Sequence, residues 1–245
     1  MPVALITGAS RGLGRAAARA LAGRGWSLVA DARGADDLAG ALREFGDVAV
    51  IAGDVTSPGH RADLAAAVRP LGRLDVLVNN ASSLGPSPLP PLRGYVLDEL
   101  RRVYETNVLA PLALIQLLTG PLEAASGAII NVSSDAAIEA YPGWGGYGSS
   151  KAALDQLTAV LATEESGLRC YAFDPGDMRT DMHQQAFPGE DISDRPDPES
   201  VVPALLRLID ERPPSGRYRA ADLTVQSHET EESPKTAISP EKVQP

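Results

Sequence analysis

The sequence predicts one doubly wound α/β domain, a parallel sheet with helices on both faces. Three observations carry this. Short apolar runs without polar alternation recur along the chain, which is how strands buried on both faces read. Helical patterns separate those runs, and strand–helix alternation implies right-handed crossovers into a parallel sheet. The 245 residues, 44% of them hydrophobic, suffice for one large core.

The elements follow in order. Residues 3–7 read as a first buried strand, and 12–24 as an Ala/Leu-rich helix. A second strand is expected at 27–30 and a second helix at 36–45. A third strand at 48–52 leads to a helix at 60–68, and a fourth strand lies at 75–78. One long helix is expected from about 96 to 118. A fifth strand at 128–132 precedes a helix at 147–165, and a sixth strand lies at 168–173. A helix at 199–211 and a short strand at 217–220 complete a single domain over 1–221. The segment 176–198 holds Pro188, Gly189, Pro196 and Pro198 and reads as a long connection, a lid or binding loop. Residues 222–245 are polar, acidic and proline-containing, and read as a flexible tail. In a doubly wound sheet ligands sit at the carboxyl edge, so functional residues should lie just after strands.

Composition narrows the function. The formal net charge is -10 and the isoelectric point about 4.8. That argues against nucleic acid or an anionic membrane as partner, since both need a basic footprint. Aromatic residues make up only 4%, so Ala, Leu, Val and Ile must build the core. Cys170 is the single cysteine and falls in an apolar run, which reads as a buried thiol in a reducing compartment. Met1 leads almost directly into an apolar strand without a basic region, and no apolar stretch approaches the ~20 residues of a bilayer span. A cytoplasmic protein is expected. His60, His183 and His228 are scattered without ligand spacing, so no metal site is expected.

Between the first strand and first helix lies Thr7-Gly8-Ala9-Ser10-Arg11-Gly12-Leu13-Gly14. Glycines there allow a tight turn and close approach of backbone to a pyrophosphate, and the helix start supplies free N–H groups and a favourable dipole. At this position the motif points to a dinucleotide. A ribose contact is then expected after the second strand, where Ala30-Asp31-Ala32-Arg33 stands. Asp31 would accept from a free 2′-hydroxyl, favouring NAD. Arg33, with Arg11 in the loop, would pair with a 2′-phosphate, favouring NADP. The two signals oppose each other. NADP(H) is the favoured reading and NAD(H) the alternative.

Tyr147 and Lys151 stand four apart at the start of a helix, on one face. A free tyrosine titrates near 10, and a neighbouring cation lowers that value, so the pair makes a general acid/base. The spacing alone is weak. Its context is stronger, because polar or glycine residues follow nearly every strand: Asp54-Val55, Asn79-Asn80-Ala81, Ser133-Ser134 and Asp174-Pro175-Gly176, with Thr180 four residues on.

Together TGASRGLG (7–14), NNA (79–81), Asn107 in ETNVLAPL, VSS (132–134), YGSSK (147–151) and PGDMRT (175–180) resemble the short-chain dehydrogenase/reductases over about residues 3–220. The resemblance implies a Rossmann-type fold and hydride transfer between NADP(H) and a small carbonyl or alcohol. It implies that Tyr147 exchanges a proton with the substrate oxygen and that Lys151 bonds the nicotinamide ribose and lowers the Tyr147 pKa. Ser134 would bond the substrate oxygen, and Asn107 would hold a water linking Lys151 to solvent. Gly8, Ser10, Arg11, Gly12, Leu13 and Gly14 would line the pyrophosphate and ribose. Asp54 and Val55 would flank the adenine, and Asn79 and Ala81 the adenosine-side sugar. Pro175, Gly176 and Thr180 would sit by the nicotinamide. The family's habit of pairing long helices implies a homodimer or homotetramer. Ser82 stands where the family usually has glycine, and the usual C-terminal stretch is replaced by Arg217-Tyr218-Arg219-Ala220 and the acidic tail. A non-catalytic dinucleotide-binding sensor is the competing reading. Tyr141, Trp144, Met178, Met182 and Phe187 would supply an apolar substrate wall.

Overall fold

The computed structural model describes residues 1–229, with side chains to 224. Seven strands form one all-parallel sheet: β1 (Val3–Ile6), β2 (Ser27–Ala32), β3 (Val48–Ala52), β4 (Val76–Asn79), β5 (Ala128–Val132), β6 (Arg169–Asp174) and β7 (Gly216–Arg219). Their order is β3-β2-β1-β4-β5-β6-β7. The sheet is thus wound outward from β1 in both directions, the doubly wound plan expected. Ile6 pairs with Ala30 of β2 on one side and Val78 of β4 on the other. The crevice above that reversal is where a ligand sits in such sheets, and the loops after β1 and β4 flank it.

Burial on both faces explains the unbroken apolar runs. One face packs against α1 (Gly12–Gly23), α2 (Ala35–Leu42), α8 (Val202–Glu211) and α9 (Ala220–Glu229), with Ala4, Ile6, Leu28, Ala30 and Val78 turned toward Leu13, Ala17, Leu21, Leu205 and Leu208. The other packs against α3 (Pro58–Val68), α5 (Ala110–Ala125) and α6 (Gly145–Glu164), with Leu5, Val29, Leu77 and Ile129 turned toward Leu64, Leu114, Leu118 and Leu161. Most of these side chains have no solvent exposure. Each Val, Leu or Ile among them contributes about 1.5–3 kcal/mol by leaving water.

Four expectations need correction. The helix expected from 96 to 118 is α4 (Leu97–Tyr104), a widened π turn over Glu105–Leu109, and α5. The continuous stretch Leu97–Ala125 is also long and apolar enough by composition to cross a membrane, against the reading that no segment approaches that length. Its apolarity has a use in the fold, because Leu114, Leu118 and Leu122 are fully buried in the core. The connection 176–198 is not structureless: it carries α7 (Asp181–Ala186), capped by Thr180. The flexible tail expected from 222 is contradicted over 222–229. Ala220 and Leu223 are buried in the core and α9 runs to Glu229, while 230–245 lies outside the described residues.

Candidate active site

The loop after β1 is shaped to hold an anion. Gly8 and Gly12 take left-handed φ values of 68° and 55°, which side chains resist. A Cβ at Gly14 would stand 2.3 Å from the Gly8 carbonyl oxygen, and one at Gly8 would stand 2.8 Å from Asn80 Nδ2. The N-cap of α1 is Arg11, whose side chain makes no capping bond, and no acidic residue lies in the first turn. The amide donors of that turn therefore face the crevice without a side-chain partner. This cradle fits a dinucleotide pyrophosphate. Ser10 and Arg11 also rim an open polar depression of about 590 Å³, shared with Arg15, Arg19, Asp37, Asp181 and Glu199. Leu13 is buried beneath the loop.

Residues from the neighbouring strands fix this loop. The Asn80 amide donates to the carbonyls of Thr7 (2.9 Å) and Gly8 (3.2 Å). The Thr7 hydroxyl accepts from the backbone of Asn80 and Ala81, both at 3.0 Å. Asn79, expected at the adenosine sugar, instead turns its side chain into the sheet and donates to Asn131 (2.8 Å). It is buried, so Asn80 and the Ala81 backbone border the crevice in its place. Asp54 is exposed and Val55 buried after β3. Arg33 lies near enough to Asp54 to help lower its carboxyl below the ordinary value, behind the larger effect of the Thr56 N–H. Thr180 faces the phosphate loop, its methyl 3.5 Å from the point a Gly12 Cβ would occupy. Pro175 is half-buried, and Gly176 takes a φ of 72° with its N–H on Asp174.

The chemical groups meet where β5 and α6 converge. Tyr147 and Lys151 are 8% and 2% exposed, and Lys151 Nζ lies 5.5 Å from the Tyr147 ring centroid. Nζ donates to the Val132 carbonyl (2.6 Å). Burial pulls the ammonium down to about 8, with Asp155 opposing. Burial also pushes the Tyr147 phenol well above its ordinary value; the Ser134 and Ser82 hydroxyls pull back, while Asp135 and Asp174 push further. The lowering of Tyr147 implied by the resemblance is therefore not the balance in this state, because desolvation outweighs its partners. Ser134 Oγ donates to Asp135 (2.9 Å). Asn107 sits in the π turn, 1% exposed. Its amide donates to Ser83 O and Ser150 Oγ, both at 2.9 Å, and accepts from Ser83 N (2.7 Å) and Ser82 Oγ (3.1 Å). Both donors and both acceptor sites are then taken, so the side chain has no valence left for the expected water.

A hydroxyl pair on a buried phenol, a cationic amine beneath it and an anion cradle one crevice away make an arrangement for proton exchange at a bound carbonyl. The family model described as short chain dehydrogenase matches residues 2–191. The chain belongs to this family. It is 35% identical over 205 residues to a rat (Rattus norvegicus) sepiapterin reductase, covering 75% of this chain and 77% of that one. A short chain dehydrogenase structure from Pseudomonas syringae superposes with a TM-score of 0.84 at 33% identity, covering 89% of this chain and 94% of that one. One from Shigella flexneri, solved with NADP, superposes with 0.83 at 27% identity, covering 90% and 97%.

Several residues of this dehydrogenase were not legible as site residues. His60 carried no spacing signal, yet its Nε2 donates to Asp31 Oδ1 at 2.6 Å inside the fold. Asp31, expected to meet a ribose hydroxyl, is 1% exposed and so is not presented to one. Arg217 of β7 donates from Nη2 to the Ser134 carbonyl and to Asp174, both at 2.9 Å, and from Nε to Asp155 (3.0 Å). It ties the last strand to the back of the site. The substrate side is apolar: Leu84 and Tyr147 pack with Leu89, Trp144 and Met182, and Phe187 lies 5.9 Å from Trp144. Met178, expected in that wall, packs on the α1 side of the sheet instead. Burial raises the Cys170 thiol to about 11, in keeping with an inert core position. Among the described residues no cluster of metal-binding side chains occurs.

Proposed function

We propose that this dehydrogenase is an NADP(H)-dependent reductase of small apolar carbonyl compounds. The observation that carries the cofactor choice is the state of Asp31: the one carboxylate placed to select a free 2′-hydroxyl is sealed against His60, which leaves Arg33 and Arg11 for a 2′-phosphate. When bound, the cofactor supplies the hydride. The chain supplies the rest. The amide donors of the α1 start hold the pyrophosphate. Ser134 turns its hydroxyl from Asp135 to the carbonyl oxygen as charge develops there. Tyr147 gives that oxygen its proton. A phenol held protonated by burial suits donation, so reduction is the favoured direction at neutral pH and oxidation demands alkali. Trp144, Leu89 and Met182 exclude water from the reacting carbon. Exposed Leu97, Leu109 and Leu117 on the α4–α5 stretch support pairing of two copies through these helices.

NADPH and NADH oxidation over a panel of aromatic and aliphatic aldehydes, ketones and quinones tests the reading. NADPH-dependent turnover is expected, falling by about 10²–10⁴-fold in Tyr147→Phe, the usual worth of a positioned acid. Binding of NADPH without turnover of any carbonyl would transfer the assignment to a dinucleotide sensor.

A further inference from the structure

We infer that His60 is a positioning residue for the adenosine end of the cofactor, and that by holding Asp31 inside the fold it sets the preference for NADP over NAD. The inference rests on the reductase reading above.

Asp31 lies one residue from the end of β2 and its side chain meets His60 of α3. Its neighbours Ala30 and Ala32 pack on the opposite side, against α1 and α2. Beneath the crevice its carboxylate meets two donors, His60 Nε2 at 2.6 Å and the Gly8 N–H of the phosphate loop. His60 itself sits in the first turn of α3 and is 7% exposed. Its ring lies so flat against Gly53 that a Cβ there would stand 2.2 Å from Nδ1. Gly53 in turn donates to the Ala32 carbonyl (3.0 Å) and leads directly into Asp54 and Val55. One imidazole thus touches the ends of β2 and β3 and, through Asp31, the glycine loop. Those three segments are where the resemblance places the adenosine end of the cofactor.

Burial already raises the Asp31 carboxyl, and without its His60 partner it must either take up a proton or turn toward water; the role of His60 rests on the second course, in which the charge is kept. Arg33, two residues on, is exposed where β2 ends, so an Asp31 side chain that turned outward would come to lie beside it. A freed Asp31 would accept a bond from a 2′-hydroxyl, and would repel a 2′-phosphate while competing for Arg33. Removal of His60 should therefore act through Asp31, and with opposite effects on the two cofactors.

The measurement is the Kd of NADPH and NADH for the full chain, read by the fluorescence of the reduced nicotinamide, in wild type, His60→Ala, Asp31→Asn and the double variant. Wild type is expected to favour NADPH. His60→Ala should lower that preference by about tenfold, the scale of one new like-charge contact. Asp31→Asn should leave it unchanged. The double variant should restore it although the imidazole is still missing, which no loss of packing would do. Should His60→Ala not accumulate folded, His60→Leu fills the same space without a donor and takes its place in the cycle. Equal weakening of both cofactors, or no restoration in the double variant, overturns the role of His60 and leaves the reductase reading standing. A wild type that binds neither cofactor overturns both.

Discussion

Lys151 carries the sharpest pH statement at the scale of single residues. Its pKa is lowered to about 8 by burial, so it is a cation below that value and neutral above it. Tyr147 moves the other way and stays protonated through the same range. The descending limb of kcat/KM for reduction is therefore expected near pH 8 and belongs to the lysine, not the tyrosine. Lys151→Arg should move that limb upward by more than one unit, because a guanidinium does not lose its proton; a limb that stays in place would assign it to another group. Ser82 is the second informative residue. Its hydroxyl bonds toward Tyr147 and toward Asn107 (3.1 Å). Ser82→Gly removes one of the two groups that pull the phenol down. Alcohol oxidation, which needs the phenolate, should then require higher pH than in wild type, while reduction below pH 8 changes little. Tyr147 and Lys151 were legible in the sequence because chemistry fixes their spacing on a helix. His60 and Ser82 were not, because each acts through a partner distant in the chain.

Among the elements, α7 and the π turn show what pattern reading misses. Proline and glycine in 176–198 predict a loop, and only the Thr180 hydroxyl accepting from the His183 N–H (3.2 Å) reveals a short capped helix inside it. The π turn has no period of its own, so 96–118 reads as one helix although Asn107 is placed by the interruption. α7 also meets the phosphate loop: Arg11 is paired with Asp181 at 2.8 Å, with both side chains more than half exposed. That pair occupies a guanidinium the 2′-phosphate would use. Exposed pairs contribute about 0–1 kcal/mol, so Asp181→Asn should tighten NADPH binding by at most about fivefold and leave NADH unchanged. Titration of the two cofactors checks this, and an equal gain for both would show that Arg11 does not reach the 2′ position.

For the molecule as a whole, the sheet order and the two packed faces were legible because strands buried on both sides leave unbroken apolar runs, and the site followed because its groups come after those strands. The short last strand expected at 217–220 is found at Gly216–Arg219, but Arg217-Tyr218-Arg219 has no apolar run, so the groups that hold it in place were not legible. They are charges. Asp174 and Asp155 are 3% and 15% exposed in their side chains, and Arg217 bonds both as well as the Ser134 carbonyl. β7 is thus anchored where the site needs a rigid back wall. Replacing Arg217 by alanine strands two largely buried carboxylates, a change that costs about 3 kcal/mol, the lower end for breaking a buried pair because Arg217 keeps some solvent contact. Urea unfolding should show that loss. In Arg217→Ala the Asp174 charge beside Tyr147 also goes unbalanced, so kcat should fall further than KM rises. Asp174→Asn combined with Arg217→Ala should recover part of the stability, the share due to the more buried of the two unpaired charges, while Asp155 stays unpaired; a double variant no more stable than Arg217→Ala alone would place the penalty in lost packing of β7.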